Sequence, residues 1–292
     1  MPATKPFGRW LHKARWVNTA AWKYAQAFHD QARKVAIPAE SASGHGIIRW
    51  QDWSPCSGGD IAHWEPGPRG MHCRRATLAP ATRLITTVYH DAFSCSIREV
   101  TSLESGKGCL AASASLDAYA LSECYGLINS DPAWIEKLLG WHELRFNAAP
   151  SAGESLESFS WHDRGYHLLN QGGAHHFAAA RYLAGFFAPG FRIHAPLARY
   201  SINHEAAQDI LNAYDMFCEP EDQAMLEAFT HRMVATGVPH ATCPAPPPWD
   251  GTCRLLLLPR ENRKAAGAAA VLREHGWFDV SALLLNQSSR LG

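Results

Sequence analysis

The stretch YHLLNQGGAHHFAAARYLAG, residues 166–185, decides the reading of the fold. It opens with a short apolar run through Leu168 and Leu169 that reads as a strand over 166–170. Gly172 and Gly173 follow, and a residue without Cβ lets the backbone turn tightly or approach a ligand closely. The alanines that come next, with Tyr182 and Leu183 among them, are strong helix formers, so a helix starts near His176. A strand, a glycine turn and a helix start gather several unpaired N–H groups about one point. That is an anion site, most naturally for a phosphate, to which His175 and His176 add hydrogen bonds or charge. The same residues also suit a tight strand-to-helix turn that binds nothing.

Upstream of this stretch, the β-branched run RLITTVY at 83–89 and a second run at 93–100 read as a hairpin or strand pair. An Ala- and Leu-rich helix is expected over 110–128, and Asp131-Pro132 resembles a cap and first-turn proline opening a helix over 133–139. Residues 148–157 form a polar loop. Farther upstream, 38–81 is dense in Pro and Gly, with Trp50, Trp53 and Trp64, and reads as turns and short strands packed by aromatics. Residues 7–28 carry apolar side chains at three-and-four spacing and form an amphipathic helix.

Downstream, 205–227 holds seven acids and no Lys or Arg. Ala207, Ile210, Leu211, Tyr214 and Phe217 mark one helical face there, so the segment reads as a helix with an acidic solvated side, and Pro220 begins a second helix to about 234. A Pro-rich loop at 236–253 leads to a strand at 254–258, an Ala-rich helix at 264–275 and a last strand at 280–285.

Composition bounds the function. With 292 residues and about 150 per domain, two domains are expected. An apolar fraction of 47% against 18% charged residues excludes global disorder. Lys+Arg 27 balance Asp+Glu 27, which excludes the whole-molecule basic field of a nucleic-acid coat. The balance is a sum of opposed patches, because the first 34 residues carry seven cations against Asp30 alone. Neither a membrane-length apolar run nor a secretory core is read in the sequence, so the expectation is a cytoplasmic protein. The eight cysteines show no CxxC pair and are expected as reduced, mostly buried thiols. Cys56, His63, His72 and Cys73 lack a usual zinc spacing, and His162 and His167 differ by an odd count and face opposite sides of a strand. No metal site is expected, and no GxSxG elbow signals a serine nucleophile.

The string QGGAHHFAAARYL resembles the nucleotide-binding motif of the ParB/sulfiredoxin superfamily, whose members carry a glycine, then His-Arg or a related basic pair, then an Ala-rich helix. The likeness spans 81–203 in outline, with its specific positions confined to the motif. It implies an α+β fold in which a ParB/sulfiredoxin-like mixed sheet with helices occupies 81–203. The basic, aromatic-rich extension would then be 1–80, and acidic helices with a small α/β portion would fill 204–292. It further implies that Gly172, Gly173, Ala174, His175 and His176 hold the phosphates of ATP or CTP with Mg²⁺. Two departures set this chain apart from a true sulfiredoxin. Ala174 stands at the position of the sulfiredoxin cysteine, and His176 at that of the motif arginine, which removes a thiol route and a permanent bidentate charge. Arg181 or Arg164 would have to supply that charge. Glu99 and Glu123 fall where relatives place acidic active-site residues.

The resulting expectation is a nucleotide-binding protein, an NTP-dependent phosphotransferase or hydrolase. The competing one is a non-enzymatic nucleic-acid-associated or protein-interaction scaffold with a degenerate nucleotide site. DNA would be held through Lys5, Arg9, Lys13, Arg15 and Lys23 of the basic helix.

Overall fold

The computed structural model describes residues 41–144, 146, 153–162, 165–221 and 233–289. Along the chain, a hairpin of β1 (Asp60–Gly67) and β2 (Gly70–Thr77) precedes β3 (Ile85–Ser96) and β4 (Val100–Leu103). Helices α1 (Leu116–Glu123) and α2 (Trp134–Leu139) come next, then β5 (Ser155–Phe159), β6 (Tyr166–Leu169), α3 (Ala174–Phe187) and β7 (Arg192–Ile202). The remainder is α4 (His204–Ala213), β8 (Tyr214–Pro220), β9 (His240–Pro244), β10 (Cys253–Pro259), α5 (Arg263–Glu274) and α6 (Val280–Ser288). The protein is α+β. Among the described residues no helix is long and apolar enough to cross a membrane.

Two compact units form. One contains, among its described residues, 41–51, 84–203 and 287–289, and its sheet runs β3-β7-β5-β6-β4. The sheet is mixed: β4 lies parallel to β6 and β5 parallel to β7, while the other two pairings are antiparallel. Alternation gives its two faces different chemistry. Leu103, Leu168, Leu156 and Leu197 sit side by side across four strands, all buried. They share a core with α1, α2 and the buried Phe177, Ala178, Ala180, Leu183 and Ala184 of α3. The alanines let the helix backbone lie close to its neighbours. One residue along each strand, Ser102, His167 and Glu157 form the corresponding polar row.

The other unit contains 52–83 and 204–286 among its described residues, with a wholly antiparallel sheet β2-β1-β9-β10-β8. Phe217, Leu256 and Leu258 pack with Met233, Val238 and the Ala265, Ala269 and Leu272 face of α5. The expected split into separate 1–80 and 204–292 portions is therefore corrected. The 60–77 hairpin joins strands from beyond residue 213 in one sheet.

Several local expectations change as well. The two runs at 83–100 are not a hairpin but mainly one twelve-residue strand, β3, whose register shifts between His90 and Phe93 against β7. The helix expected over 110–128 is short 3-10 turns on either side of α1, because Ser115 caps Ala118 N–H and restarts the chain. The single acidic helix stops at Ala213, and Tyr214 to Pro220 is the strand β8. Its Asp215 and Glu219 are buried partners of Arg260, Arg273 and Arg254 rather than a solvated stripe. The strand expected at 280–285 is the helix α6, whose Ala282 N–H donates to Asp279 Oδ1 at 3.0 Å. All eight cysteines are free thiols, five of them buried. The basic helix at 7–28 with its five candidate DNA contacts, Asp163, Arg164 and most of the second acidic helix lie outside the described residues.

Candidate functional site

β4 and β6 run parallel and adjacent, so the loops that leave their C-terminal ends meet. Asn170 ties them together. Its Nδ2 donates to the carbonyls of Ser105 at 2.8 Å and Gly172 at 2.9 Å, while its Oδ1 and backbone carbonyl accept from Ser105 N–H and Oγ–H. The first loop reads Ser105-Gly106-Lys107-Gly108. The second is the glycine turn, and α3 starts from it. Gly173 caps the helix with φ of 66°, a left-handed conformation that favours glycine. A Cβ on it would also fall 2.6 Å from Leu144 Cγ.

The Gly173 N–H donates to Glu143 Oε2 at 3.0 Å. A carboxylate of the protein itself thus occupies the place where the sequence called for a phosphate. The Gly173 N–H and a hydrogen bond from the Trp141 side chain hold the Glu143 carboxyl below the usual range, with His142 and Lys107 adding weaker attraction. Trp141 stacks on His176, with ring centroids 4.2 Å apart and planes 7° from parallel, and His175 stacks on Tyr119 at 5.4 Å. Burial pushes the His176 pKa down, against the pull of Glu143. Gly172 and Gly173 form the turn into α3, Ala174, His175 and His176 are its first residues, and the two imidazoles stack on different partners.

Arg181 does not join them. Its guanidinium turns inward, donating to the carbonyls of Val100 at 2.6 Å and Arg98 at 3.1 Å and pairing with Asp117, which Arg98 also grips with both Nη atoms. Burial lowers the Arg181 pKa and Asp117 opposes the shift. Its role is to fasten α3 to α1 and to the start of β4, so its assignment to the phosphates is corrected. Glu99 closes a capping box, accepting from Ser96 N–H at 2.7 Å. Glu123 borders the first loop: its Oε2 lies 2.7 Å from where a Gly108 Cβ would be.

The sequence reading missed Glu143, Trp141, Lys107 and a polar network on the other face of the sheet. Arg49 bridges Glu104 and Glu157, each at 2.8 Å. His167 Nε2 is 2.9 Å from Glu104 Oε2, and its Nδ1 is 3.0 Å from Ser102 Oγ. The His167 bond, ahead of the Arg49 charge, brings the Glu104 pKa down to about 2 against its burial. Gly44 lies against the imidazole, where a Cβ would fall 1.9 Å from His167 Cε1. Trp161 Nε1–H donates to Ile48 O at 2.8 Å, so the segment 41–49 is fastened across this face. Ser102, His167 and Glu104 stand in line, but the hydroxyl is at the buried end and the acid at the open one, the reverse of what attack on a substrate requires. The network fixes the root of the Ser105 loop. The signal that could have flagged that loop was its two glycines and a lysine directly after a strand.

Among the described residues no three His, Cys, Asp or Glu side chains converge as a metal ligand set. Fold and site together define an α+β protein with a strand–glycine turn–helix whose Gly173 N–H is taken by the Glu143 carboxylate, backed by a second glycine loop. The chain belongs to a family of unknown function, DUF6685, whose model matches residues 90–290. No curated protein and no solved structure matches it.

Proposed function

We propose that this chain binds the phosphates of a nucleotide at the start of α3, in the manner of the ParB/sulfiredoxin superfamily, and that Glu143 fills the phosphate position when no ligand is present. The observation that carries the reading is the Gly173 N–H donating to Glu143 at 3.0 Å, because it is an anion accepted at the expected place. Glu143 is on the surface and its departure uncovers no buried charge. Lys107 is near enough to attract it and makes no ion pair among the described residues, so it is a cation available to an incoming phosphate in place of the motif arginine. His175 and His176 lie on the first turn beside it. ATP and CTP are the nucleotides the resemblance favours. The described side chains do not supply a ligand set for Mg²⁺, so the metal would arrive on the nucleotide.

Binding without the superfamily's chemistry is the form this takes. Ala174 offers no thiol and Glu99 is held in its capping box. The setting is read as cytoplasmic. The test is calorimetric titration of ATP, CTP and pyrophosphate into the wild type and the Glu143→Ala and His175→Ala variants. Glu143→Ala should tighten all three by about tenfold, a gain of about 1.4 kcal/mol, and His175→Ala should weaken them. Absence of binding to wild type and Glu143→Ala alike at millimolar ligand would overturn the reading. It would leave a scaffold with a degenerate site, which the inward use of Arg181 favours.

A further inference from the structure

We propose that the anion position at the start of α3 is proton-gated: His142, His175 and His176, gathered from two elements around the Glu143 carboxylate, take up protons as an outside dianion replaces it. This adds regulation to the phosphate reading and rests on it. The three imidazoles are brought together by stacking. Trp141 carries two of them, His176 in parallel at 4.2 Å and His142 tilted over the indole at 4.5 Å. His175 is on the same helical turn as His176 and stacks on Tyr119 at 5.4 Å. His142 and His176 both act on the Glu143 carboxylate that accepts the Gly173 N–H. Three side chains of the type that changes charge near neutral pH therefore surround one anion.

Their own charges hold them back. Burial disfavours a proton on His176, Glu143 pulls the other way, and His175 and His142 add to the opposition. Glu143 brings one negative charge, whereas a sulfate or phosphate brings two, so exchanging the first for the second tips the balance toward protonation. The remaining groups that face the cluster set a background. Lys107, in the loop after β4, adds a positive charge, and Glu123 of α1 a negative one beside Gly108. Tyr119 is a neutral phenol, its pKa pushed up to about 12 by burial, and it donates to Lys107 O at 2.6 Å. Exposed Cys109 and buried Cys124 flank that ring. Glu143 stays ionised through mild acid, because the Gly173 N–H holds its carboxyl below the usual range.

The experiment titrates sulfate, whose double charge does not change between pH 7.5 and pH 5.5, into the full chain by calorimetry at constant ionic strength. It compares the wild type with the double variant His142→Gln/His176→Gln. A bound dianion that raises one imidazole pKa by about one unit strengthens its own binding by up to about tenfold. Sulfate should therefore bind about tenfold tighter at pH 5.5 than at pH 7.5, with protons drawn from the buffer, and the double variant should keep the two affinities within about twofold. Weaker binding of the double variant at both pH values with the tenfold ratio retained would mark a merely structural role and overturn the inference. An affinity in the wild type that does not change with pH, or no sulfate binding at either pH, would overturn it too. The phosphate reading falls separately, only if pyrophosphate also fails to bind.

Discussion

Replacing Arg49 with Met removes the cation that joins two carboxylates while keeping an aliphatic stem of similar length. Glu157 is the more damaged partner: its side chain is 7% exposed and it would be left with the Tyr200 hydroxyl at 3.3 Å. Breaking a buried pair from one side costs about 3–5 kcal/mol, because the surviving charge is stranded. Glu104 moderates the loss, since its side chain is 36% exposed and keeps His167 at 2.9 Å. The expected destabilisation is therefore near the lower bound, about 3 kcal/mol, or about 10 °C in Tm for a unit of this size. Urea unfolding at pH 7 measures it. The double variant Arg49→Met/Glu157→Gln should recover about half, because no charge then remains buried without a partner. A loss under 1 kcal/mol, or a double variant no better than Arg49→Met alone, would refute the claim that a stranded Glu157 dominates.

The remaining predictions concern pH, the glycine turn and the clamp on α3. Glu104 has its folded pKa depressed from 4.5 to about 2, so its contribution is complete above about pH 4.5 and is lost as pH falls toward about 2. That interval is worth at most about 3 kcal/mol, and solvent at the open carboxylate reduces it to about 1–2 kcal/mol; the advantage of wild type over Glu104→Gln in urea should narrow between pH 5 and pH 3. His176 has a lowered pKa, so the ligand-free protein should lose stability as pH drops through 6.5, and His176→Gln should flatten that slope in thermal melts. Gly173→Ala forces a Cβ into positive φ and against Leu144, and should cost about 1–3 kcal/mol by chemical unfolding. Asp117→Ala leaves Arg181 buried without its carboxylate and should cost about 3 kcal/mol, more than the same change at exposed Asp91.

What could be read in the sequence was local. The strand, glycine turn and helix of 166–187 follow from an apolar run, two glycines and an alanine run, and each signal lies within a few residues of the next. The errors arise where a pattern continued past the element that made it. Tyr214 and Phe217 extend the three-and-four spacing of α4, yet they belong to β8, because pairing with β10 outweighs one more helical turn. Val280 to Leu285 is apolar enough for a strand, and Asp279 decides otherwise by capping a helix. The site itself was half legible. Gly173 announced a donor, but its acceptor Glu143 is 30 residues away, and Arg49 meets Glu157 across 108. Such partners follow from the topology of the sheet and have no signature in either neighbourhood.

The unit carrying the site is interpolated into the other. The chain leaves one sheet after β2, builds β3 to β7, and returns for β8 to β10. Where it departs and where it comes back, Asn203 N–H donates to Leu84 O at 2.7 Å, so the interpolated piece begins and ends at one spot. A module with touching ends is transplantable: 84–203 could be exchanged for a short turn, or moved into a host loop, without stretching either backbone. The segment 41–49 would have to travel with it as a separate strip, since the Arg49 bridge and the Gly44 contact on His167 belong to the same face. Swapping the insert alone would therefore give a folded-looking module with its polar side bare, which is how a modular origin for the strand–turn–helix site could be told from a single continuous design.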